Sequence, residues 1–262
     1  MDLHLTLIFN GVATGMLIFL LAAGLSLIFG LMSVLNFAHG ALFMFGAYFG
    51  TDIYLRLGGW TGAYPVLNFF IGILAAIIIG VGLGYVVERF TIRPVYGNHL
   101  QQILITAGVA LVISELVKVF WGPNMIPVNE PASIAGYWQA FDVRFPHYRV
   151  FIIGFGLLVF ISMMLLLKKT KIGLIVRAGV QNKEMIQALG VNVRKVFTLV
   201  FIFGTALACI GGFLWGPFGS QINAEMGAAK MLIAFIVVAI GGMGSVTGSA
   251  VAALLVLSLI HI

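Results

Sequence analysis

The sequence predicts an all-α fold, a polytopic bundle of transmembrane helices. Hydrophobic residues make up 61% of the 262 residues, and charged residues make up only 8%. The mean hydropathy is +1.14, whereas a typical soluble domain is about half apolar and about a quarter charged. The apolar residues also fall in stretches long enough to cross about 30 Å of hydrocarbon. We therefore predict a single transmembrane domain over residues 1–262.

Eight apolar stretches follow one another, so we predict about eight spans, with short broken or re-entrant helices among them. They cover roughly residues 6–31, 37–55, 63–87, 100–120, 149–167, 196–216, 229–243 and 247–262. The start MDLHLTLIF lacks a basic region and a small-residue cleavage site, so we expect the first stretch to stay in the protein. It crosses once, or twice if it breaks at Gly24 or Gly30, and these alternatives place the N-terminus on opposite sides.

The polar joints between the stretches indicate the orientation. Glu88, Arg89 and Arg93 close the third stretch, and we place this joint inside the cell. Residues 122–147 contain four prolines and few positive charges, and we place them outside. Glu115 and Lys118, near the end of the fourth stretch, have the spacing of an i, i+3 ion pair on a helix.

The most polar segment, residues 168–195, reads KKTKIGLIVRAGVQNKEMIQALGVNVRK and contains seven Lys or Arg residues and one Glu. Such a charge bias between two membrane-length runs is typical of the cytoplasmic face. Asn182 can cap a short helix over 182–189, and Gly190 follows where a helix end favours a residue that tolerates the left-handed conformation. By itself the charge indicates a surface anchor. The alternative is a docking helix for a soluble partner.

Residues 24–50, GLSLIFGLMSVLNFAHGALFMFGAYFG, are unusual because glycines recur and polar residues stand in the middle. Glycines allow helices to approach closely or to break, and unpaired polar groups are costly in lipid. One interpretation is a discontinuous helix that lines a cavity, with a translocation path near Asn36, His39, Gly40 and Gly46. The other is a cytoplasmic turn followed by a helix that Asn36 caps. A metal site at His39 is disfavoured, because no second ligand lies at a suitable spacing.

A second glycine-rich site, IGGMGSVTGS at residues 240–249, separates the last two apolar stretches. It does not match a phosphate-binding loop, which needs a lysine and a preceding strand. We interpret it as a re-entrant break between two short helices, with the turn at Gly241, Gly242, Gly244 and Ser245.

The composition and the motifs disfavour several function classes. The net charge of +6 is concentrated in residues 168–195, so it reflects membrane topology rather than nucleic-acid binding. The lone cysteine, Cys209, excludes an intramolecular disulfide and a cysteine metal cluster. The sequence has no paired carboxylate motif, nucleophile elbow or HExxH motif, so we expect no catalytic residues, metal or cofactor. It has no nucleotide-binding motif either, so ATP-driven transport would need a separate ATP-binding subunit.

Four segments together carry a resemblance to a known family. They are LNFAHGALFMFGAY (35–48), VERFTIRPV (87–95), KIGLIVRAGVQNKEMIQALGVNVRKV (171–196) and AIGGMGSVTGS (239–249). In this order and spacing the chain resembles the permease subunit of the branched-chain amino acid ABC importers, over nearly its whole length. The resemblance implies a bacterial inner-membrane permease for leucine, isoleucine and valine. It also implies a second permease subunit, two cytoplasmic ATP-binding subunits and an extracytoplasmic solute-binding protein as partners.

The resemblance favours docking over anchoring for residues 168–195, because this segment resembles the coupling helix that contacts the ATPase. The implied coupling residues are Arg177, Ala178, Asn182, Glu184, Ala188, Leu189, Gly190 and Asn192. The chain departs from the family in two ways. Thr247 stands where the family usually has proline, and family members continue past the position of Ile262, so we expect a C-terminal truncation.

Other cargoes and mechanisms remain as alternatives. Urea and short-amide permeases share these motifs, and simple-sugar permeases resemble them less. An ATP-independent secondary transporter or channel would need intramembrane charges for ion coupling or an ion filter, and such charges are scarce here. A membrane enzyme is disfavoured by the absence of a catalytic cluster.

Overall fold

The computed structural model describes residues 2–60, 64–131, 134–140 and 143–260. The helices in this part of the chain are α1 (Asp2–Met32), α2 (Ala38–Trp60), α3 (Pro65–Val86), α4 (His99–Trp121), α5 (His147–Lys169), α6 (Lys171–Gln181), α7 (Lys183–Ala188), α8 (Val193–Gly219), α9 (Met226–Gly241) and α10 (Val246–Ile260). A π-helical turn, Val87–Ile92, and a 3-10 turn, Arg93–Val95, continue α3. The strands are β1 (Ile126–Pro127), β2 (Tyr137–Ala140), β3 (Val143–Pro146) and β4 (Gln221–Ile222).

Five helices of the described residues are long and apolar enough to cross a membrane: α1, α3 with its continuation to Val95, α4, α5 and α8. Helices α9 and α10 pass this test only as a pair that is bent by 118°, which makes them one broken span or a re-entrant loop. The count of eight spans is therefore not confirmed, although a helix lies in each predicted stretch. The stretch at 247–262 ends in residues 261 and 262, which lie outside the described part of the chain.

The centre of the bundle is formed by α1, α2 and α8, whose facing sides are buried. Helix α2 is 23 residues long but is not among the five apolar helices. Because other helices shield much of α2 from lipid, its polar residues can face the interior of the bundle. Glycines permit the close packing: a Cβ on Gly212 of α8 would overlap the carbonyl oxygen of Phe43, and one on Gly46 of α2 would overlap Cys209.

Helices α4 and α5 lie at the periphery, and few of their residues are buried. Large apolar side chains such as Leu104 and Leu111 of α4 form a surface suited to lipid or to another membrane subunit. The predicted ion pair of Glu115 and Lys118 is confirmed, with 2.6 Å between the carboxylate oxygen and the ammonium nitrogen. Both side chains are exposed, so the pair adds little stability.

Two small strand pairs form at one end of the bundle, where α4 and α8 end. β1 pairs antiparallel with β4, with Ile126 opposite Ile222, and β2 pairs antiparallel with β3. The all-α prediction missed them, because strands of two or four residues show no readable alternation. Helices α6 and α7 precede α8 and therefore lie at the opposite end.

Candidate functional site

The chain makes a partly buried turn between α1 and α2. Ser33 has a positive φ of 55°, and Asn36 Oδ1 accepts a hydrogen bond from the backbone N–H of Ala38 at 3.1 Å. Asn36 thus caps the start of α2, as the sequence predicts. Asn36 and His39 are fully buried, so this turn lies within the bundle. The helical run is thus interrupted at this turn, and a translocation path beside it stays a prediction.

Asn36 and His39 each keep a buried polar atom without a hydrogen-bond partner. His39 Nε2 lies 3.1 Å from the carbonyl oxygen of Leu21. A carbonyl can only accept, so Nε2 carries the proton and Nδ1 is an acceptor. Within the described part of the chain, neither this Nδ1 nor Nδ2 of Asn36 has a partner. A buried unpaired polar group disfavours folding by about 1–3 kcal/mol, so these two atoms are candidates for contact with a solute.

Thr106 of α4 fixes the turn from the other side. Its hydroxyl accepts a hydrogen bond from the backbone N–H of Phe37 at 3.3 Å and lies 3.3 Å from the carbonyl oxygen of Leu35. The turn at Asn36 is thereby held to α4 as well as to α1 and α2.

An open apolar cleft of about 590 Å³ lies between α2, α4 and α9. The cleft is open because small residues line much of it: Ala41, Ala107, Ala110, Gly227 and Ala228. The volume is within the range of small-molecule sites, about 300–1,000 Å³. Leu232 of α9 also lines the cleft and is itself exposed on the outside of the bundle.

A second, much smaller cavity of about 10 Å³ lies beside Asn36. It holds about one water molecule at most. Phe37, Met231 and Phe235 line both this cavity and the open cleft, so these three side chains separate Asn36 from the cleft. Of the other residues predicted for the path, Gly40 packs against Gly227 and Met231 of α9, and Gly46 packs against Cys209 of α8.

The break between α9 and α10 lies where the glycines predict it. Gly242 and Gly244 have positive φ values of 88° and 91°, which favour glycine. Ser245 Oγ accepts a hydrogen bond from the backbone N–H of Gly248 at 3.0 Å and caps α10. The backbone N–H of Gly244 donates to Ser26 Oγ of α1 at 3.1 Å, so the break is attached to α1.

The segment between α5 and α8 consists of two helices, and asparagine caps α7, as predicted. Asn182 Oδ1 accepts from the backbone N–H of Met185 at 2.9 Å, and Asn192 Oδ1 accepts from that of Lys195 at 3.2 Å, which caps α8. Gly190 follows α7 with φ 81°, and its N–H donates to the carbonyl oxygen of Gln187 at 3.0 Å. The short helix is therefore present with both ends fixed.

Helix α7 buries one apolar side chain and exposes others. Ile186 is buried, whereas Met185 is 62% exposed and Leu189 is 77% exposed. The residues predicted for coupling lie on three elements: Arg177 and Ala178 on α6, Glu184 and Ala188 on α7, and Asn182, Leu189, Gly190 and Asn192 at the helix ends. All of them are exposed except Ala178, which is half-buried.

This segment touches the two places where the helices are interrupted. A side chain at Gly179 of α6 would meet Leu31 of α1 and Ile186 of α7. A side chain at Gly244 would meet Gly30 of α1 and Val180 of α6. The end of α1, the α9–α10 break and helices α6 and α7 therefore meet at one end of the bundle.

Sequence reasoning missed helix α6 and the residues around the cleft. Thr170 Oγ1 accepts from the backbone N–H of Gly173 at 3.1 Å and caps α6, and apolar residues recur at Ile172, Ile175 and Val176. That cap and spacing could have revealed the helix. Thr106 and Phe235 carried no such signal, because only the tertiary fold brings them to Asn36.

Comparisons with known proteins agree with these features. Residues 7–260 match the family described as branched-chain amino acid transport system / permease component. The chain is 28% identical to the high-affinity branched-chain amino acid transport system permease protein LivH of Escherichia coli, over 94% of this chain and 82% of that protein. It is 28% identical to BraD of Pseudomonas aeruginosa, a protein of the same description, over 96% of this chain and 83% of that protein.

A third relative has a similar description. The probable branched-chain amino acid transport permease protein LivH of Methanocaldococcus jannaschii is 29% identical, over 89% of this chain and 72% of that protein. No solved structure gives a significant match. Since the family match extends over nearly the whole chain, and the described residues include several membrane-length apolar helices, the chain is a multi-pass membrane protein and belongs to the family of permease components of branched-chain amino acid transport systems.

Proposed function

We propose that the chain is a permease subunit of an ATP-driven ABC importer for leucine, isoleucine and valine in the bacterial inner membrane. It works with a second permease subunit, two cytoplasmic ATP-binding subunits and an extracytoplasmic solute-binding protein. The permease subunit forms the path, and its ATP-binding partners hydrolyse ATP.

The observation that carries this proposal is the form of α7. Met185 and Leu189 are exposed at the end of the bundle, and caps at Asn182 and Gly190 fix the helix. A capped helix with exposed apolar side chains suits a protein groove. The exposed Arg177 adds a positive charge beside it. We assign docking on the ATP-binding subunit to α6 and α7.

The contacts of this segment support a coupling role. The ATP-bound and ATP-free states of the partner subunits place α6 and α7 differently. Because α6 lies against the end of α1 and the α9–α10 break, such a displacement reaches both. The bundle then shifts between outward-open and inward-open states. ATP drives this shift to the extent that it binds one state more tightly than the other.

We place the translocation path along the cleft between α2, α4 and α9, with Asn36 and His39 at its closed end. Phe37, Met231 and Phe235 form the barrier between cleft and turn. Opening of this barrier would give a solute access to Asn36 Nδ2, a donor, and to His39 Nδ1, an acceptor. An amino acid carries a carboxylate and an ammonium that match a donor and an acceptor. The second permease subunit would cover the exposed side of the cleft.

The lining of the cleft favours aliphatic side chains over urea or short amides. Alanine, leucine, methionine and phenylalanine predominate in it, and they cannot replace the hydrogen bonds that urea makes with water. A branched aliphatic side chain gains from the same surface about 25 cal/mol per Å² of apolar area buried.

The docking role can be tested with Leu189→Asp, which places a charge on the exposed tip of the segment. In the reconstituted transporter, we expect the ATP-binding subunits to bind more weakly and stimulation of ATP hydrolysis by leucine-loaded binding protein to be lost. Leu189→Met is the matched control, because it keeps an apolar side chain of similar volume. Normal stimulation and normal complex formation in Leu189→Asp would refute docking through α7.

A further inference from the structure

The joint between α3 and α4 contains a buried carboxylate. Glu88 is fully buried and lies in the π-helical turn Val87–Ile92 that ends α3. Within the described part of the chain, no other Asp, Glu, Lys or Arg is as deeply buried. Burial of a charge is costly unless it is hydrogen-bonded, and π-helical turns are frequent at functional sites. The proposed function so far gives Glu88 no role.

Glu88 binds hydroxyl groups from two other elements. Tyr96 Oη, in the joint before α4, donates to Glu88 Oε1 at 2.5 Å. Thr198 Oγ1, near the start of α8, lies 2.9 Å from Oε2 and 3.0 Å from the carbonyl oxygen of Arg194, so these two acceptors share its proton. Burial, and after it the hydrogen bond to Glu88, raises the pKa of Tyr96 above its ordinary value. The phenol therefore stays protonated and acts as the donor.

We call residues 168–195 the coupling segment. The contacts of Glu88 begin close to its C-terminal end. Asn192 caps α8, and Thr198 lies less than two turns further along that helix. The neighbouring Phe197 packs edge-on against the Tyr96 ring, with 5.4 Å between the ring centroids. A displacement of α6 and α7 therefore reaches the side chains that contact Glu88 and Tyr96.

On its other side, the joint is attached to α4 and to the turn at Asn36. Gln102 Nε2 of α4 donates to the carbonyl oxygen of Val95 at 3.1 Å. One turn further along α4, Thr106 contacts Leu35 and Phe37. Contacts thus run without interruption from the coupling segment through Glu88 to the turn that closes the cleft.

We propose that Glu88 is a positioning residue that joins α8 to the α3–α4 joint, so that displacement of the coupling segment moves α4 and the turn at Asn36. This inference rests on the proposed function. Packed helices can slide past one another in shear motions, whereas two hydrogen bonds to one carboxylate fix their relative position. Spatial continuity alone does not demonstrate coupling, so the test must separate coupling from stability.

The test uses the full-length chain assembled with its partner subunits in lipid nanodiscs. Basal ATP hydrolysis and its stimulation by leucine-loaded binding protein are measured for Glu88→Gln, Tyr96→Phe and Thr198→Val. Thr205→Val is the matched control: Thr205 is a buried threonine of the same helix, and its hydroxyl donates to Phe201 within α8 at 2.9 Å.

We expect the basal rate and the amount of assembled complex to stay unchanged. Stimulation should fall about fivefold or more in the three variants, since coupling between sites commonly amounts to at least that factor, and should be normal in Thr205→Val. In the double variant Tyr96→Phe with Thr198→Val, stimulation should fall no further than in Glu88→Gln, because all three changes break contacts to one carboxylate. If Glu88→Gln fails to assemble, the two hydroxyl variants still decide the question.

The other outcomes contradict the inference in distinguishable ways. Normal stimulation in Tyr96→Phe and Thr198→Val would overturn the role of Glu88 and leave the proposed function intact. A parallel loss of basal and stimulated rates, or loss of the complex in all three variants, would show that the contacts only stabilise the fold. Absence of stimulation in the unmodified transporter would overturn the proposed function, and this inference with it.

Discussion

The two interruptions of the helical bundle are built in different ways. Between α1 and α2, the side chain of Asn36 is buried and satisfies a backbone donor. Between α9 and α10, the turn depends on Gly242 and Gly244 at positive φ, and Ser245 caps the next helix from a half-buried position. The first interruption places polar atoms beside a cavity. The second brings backbone into contact with α1 and α6. Substitutions in the second should mainly change stability, and substitutions in the first should also change transport.

The largest effect should come from Gly244→Ala. At φ 91° a Cβ is strained, and it would lie 3.0 Å from the Cα of Gly30. Backbone strain of about 1–3 kcal/mol adds to the cost of overpacking, also about 1–3 kcal/mol. Thermal unfolding of the purified protein should therefore show a loss of about 2–6 kcal/mol.

Gly242→Ala is the matched control for this prediction. It has nearly the same φ, but its Cβ would meet only Ser245 Cβ, at 3.9 Å. Its free energy of unfolding should fall by the backbone strain alone, about 1–3 kcal/mol. An equal fall in the free energy of unfolding in the two variants would show that contact between the break and α1 does not contribute to stability.

An intermediate effect is expected for Asn36→Ala. The buried N–H of Ala38 loses its acceptor, which should lower the free energy of unfolding by about 1–3 kcal/mol. Leucine uptake should fall as well, because Asn36 lies at the closed end of the proposed path. Uptake per assembled transporter, together with thermal unfolding, measures both effects.

Asn223→Ala provides the comparison for Asn36→Ala. Asn223 Oδ1 accepts from the backbone N–H two residues later, at the same 3.1 Å, in an exposed turn before α9. The free energy of unfolding should fall less in Asn223→Ala, by about 0.5–1.5 kcal/mol, and leucine uptake should stay normal. An equal loss of uptake in both variants would mean that the turn at Asn36 has no special role.

The smallest effect should come from Thr247→Ala. The Thr247 hydroxyl lies 3.2 Å from Ser245 Oγ at an exposed position, and such a surface contact changes stability by about 0.5 kcal/mol or less. A thermal shift as large as that of Gly242→Ala would contradict the view that backbone conformation contributes more to this break than the Thr247 hydroxyl does.

The sequence was informative where one residue determines local geometry. The glycines at 242, 244 and 190 and the caps at Asn36 and Asn182 follow from short-range rules. The contacts of Thr106 with Phe37, and of Glu88 with Thr198, join residues 69 and 110 positions apart. No local pattern indicates such partners, since helix packing alone brings them together. The count of eight spans is not confirmed for a related reason: α9 and α10 are each apolar but reach membrane length only as a bent pair.

The most direct test of the account is uptake of labelled leucine by cells that carry this permease with its partner subunits. Excess unlabelled valine and excess urea serve as competitors in parallel. The account predicts ATP-dependent leucine uptake that valine suppresses and urea does not, and that Leu189→Asp abolishes. Uptake of labelled urea or a short amide without leucine uptake would contradict the assigned substrate, and leucine uptake that persists in Leu189→Asp would contradict coupling through α7.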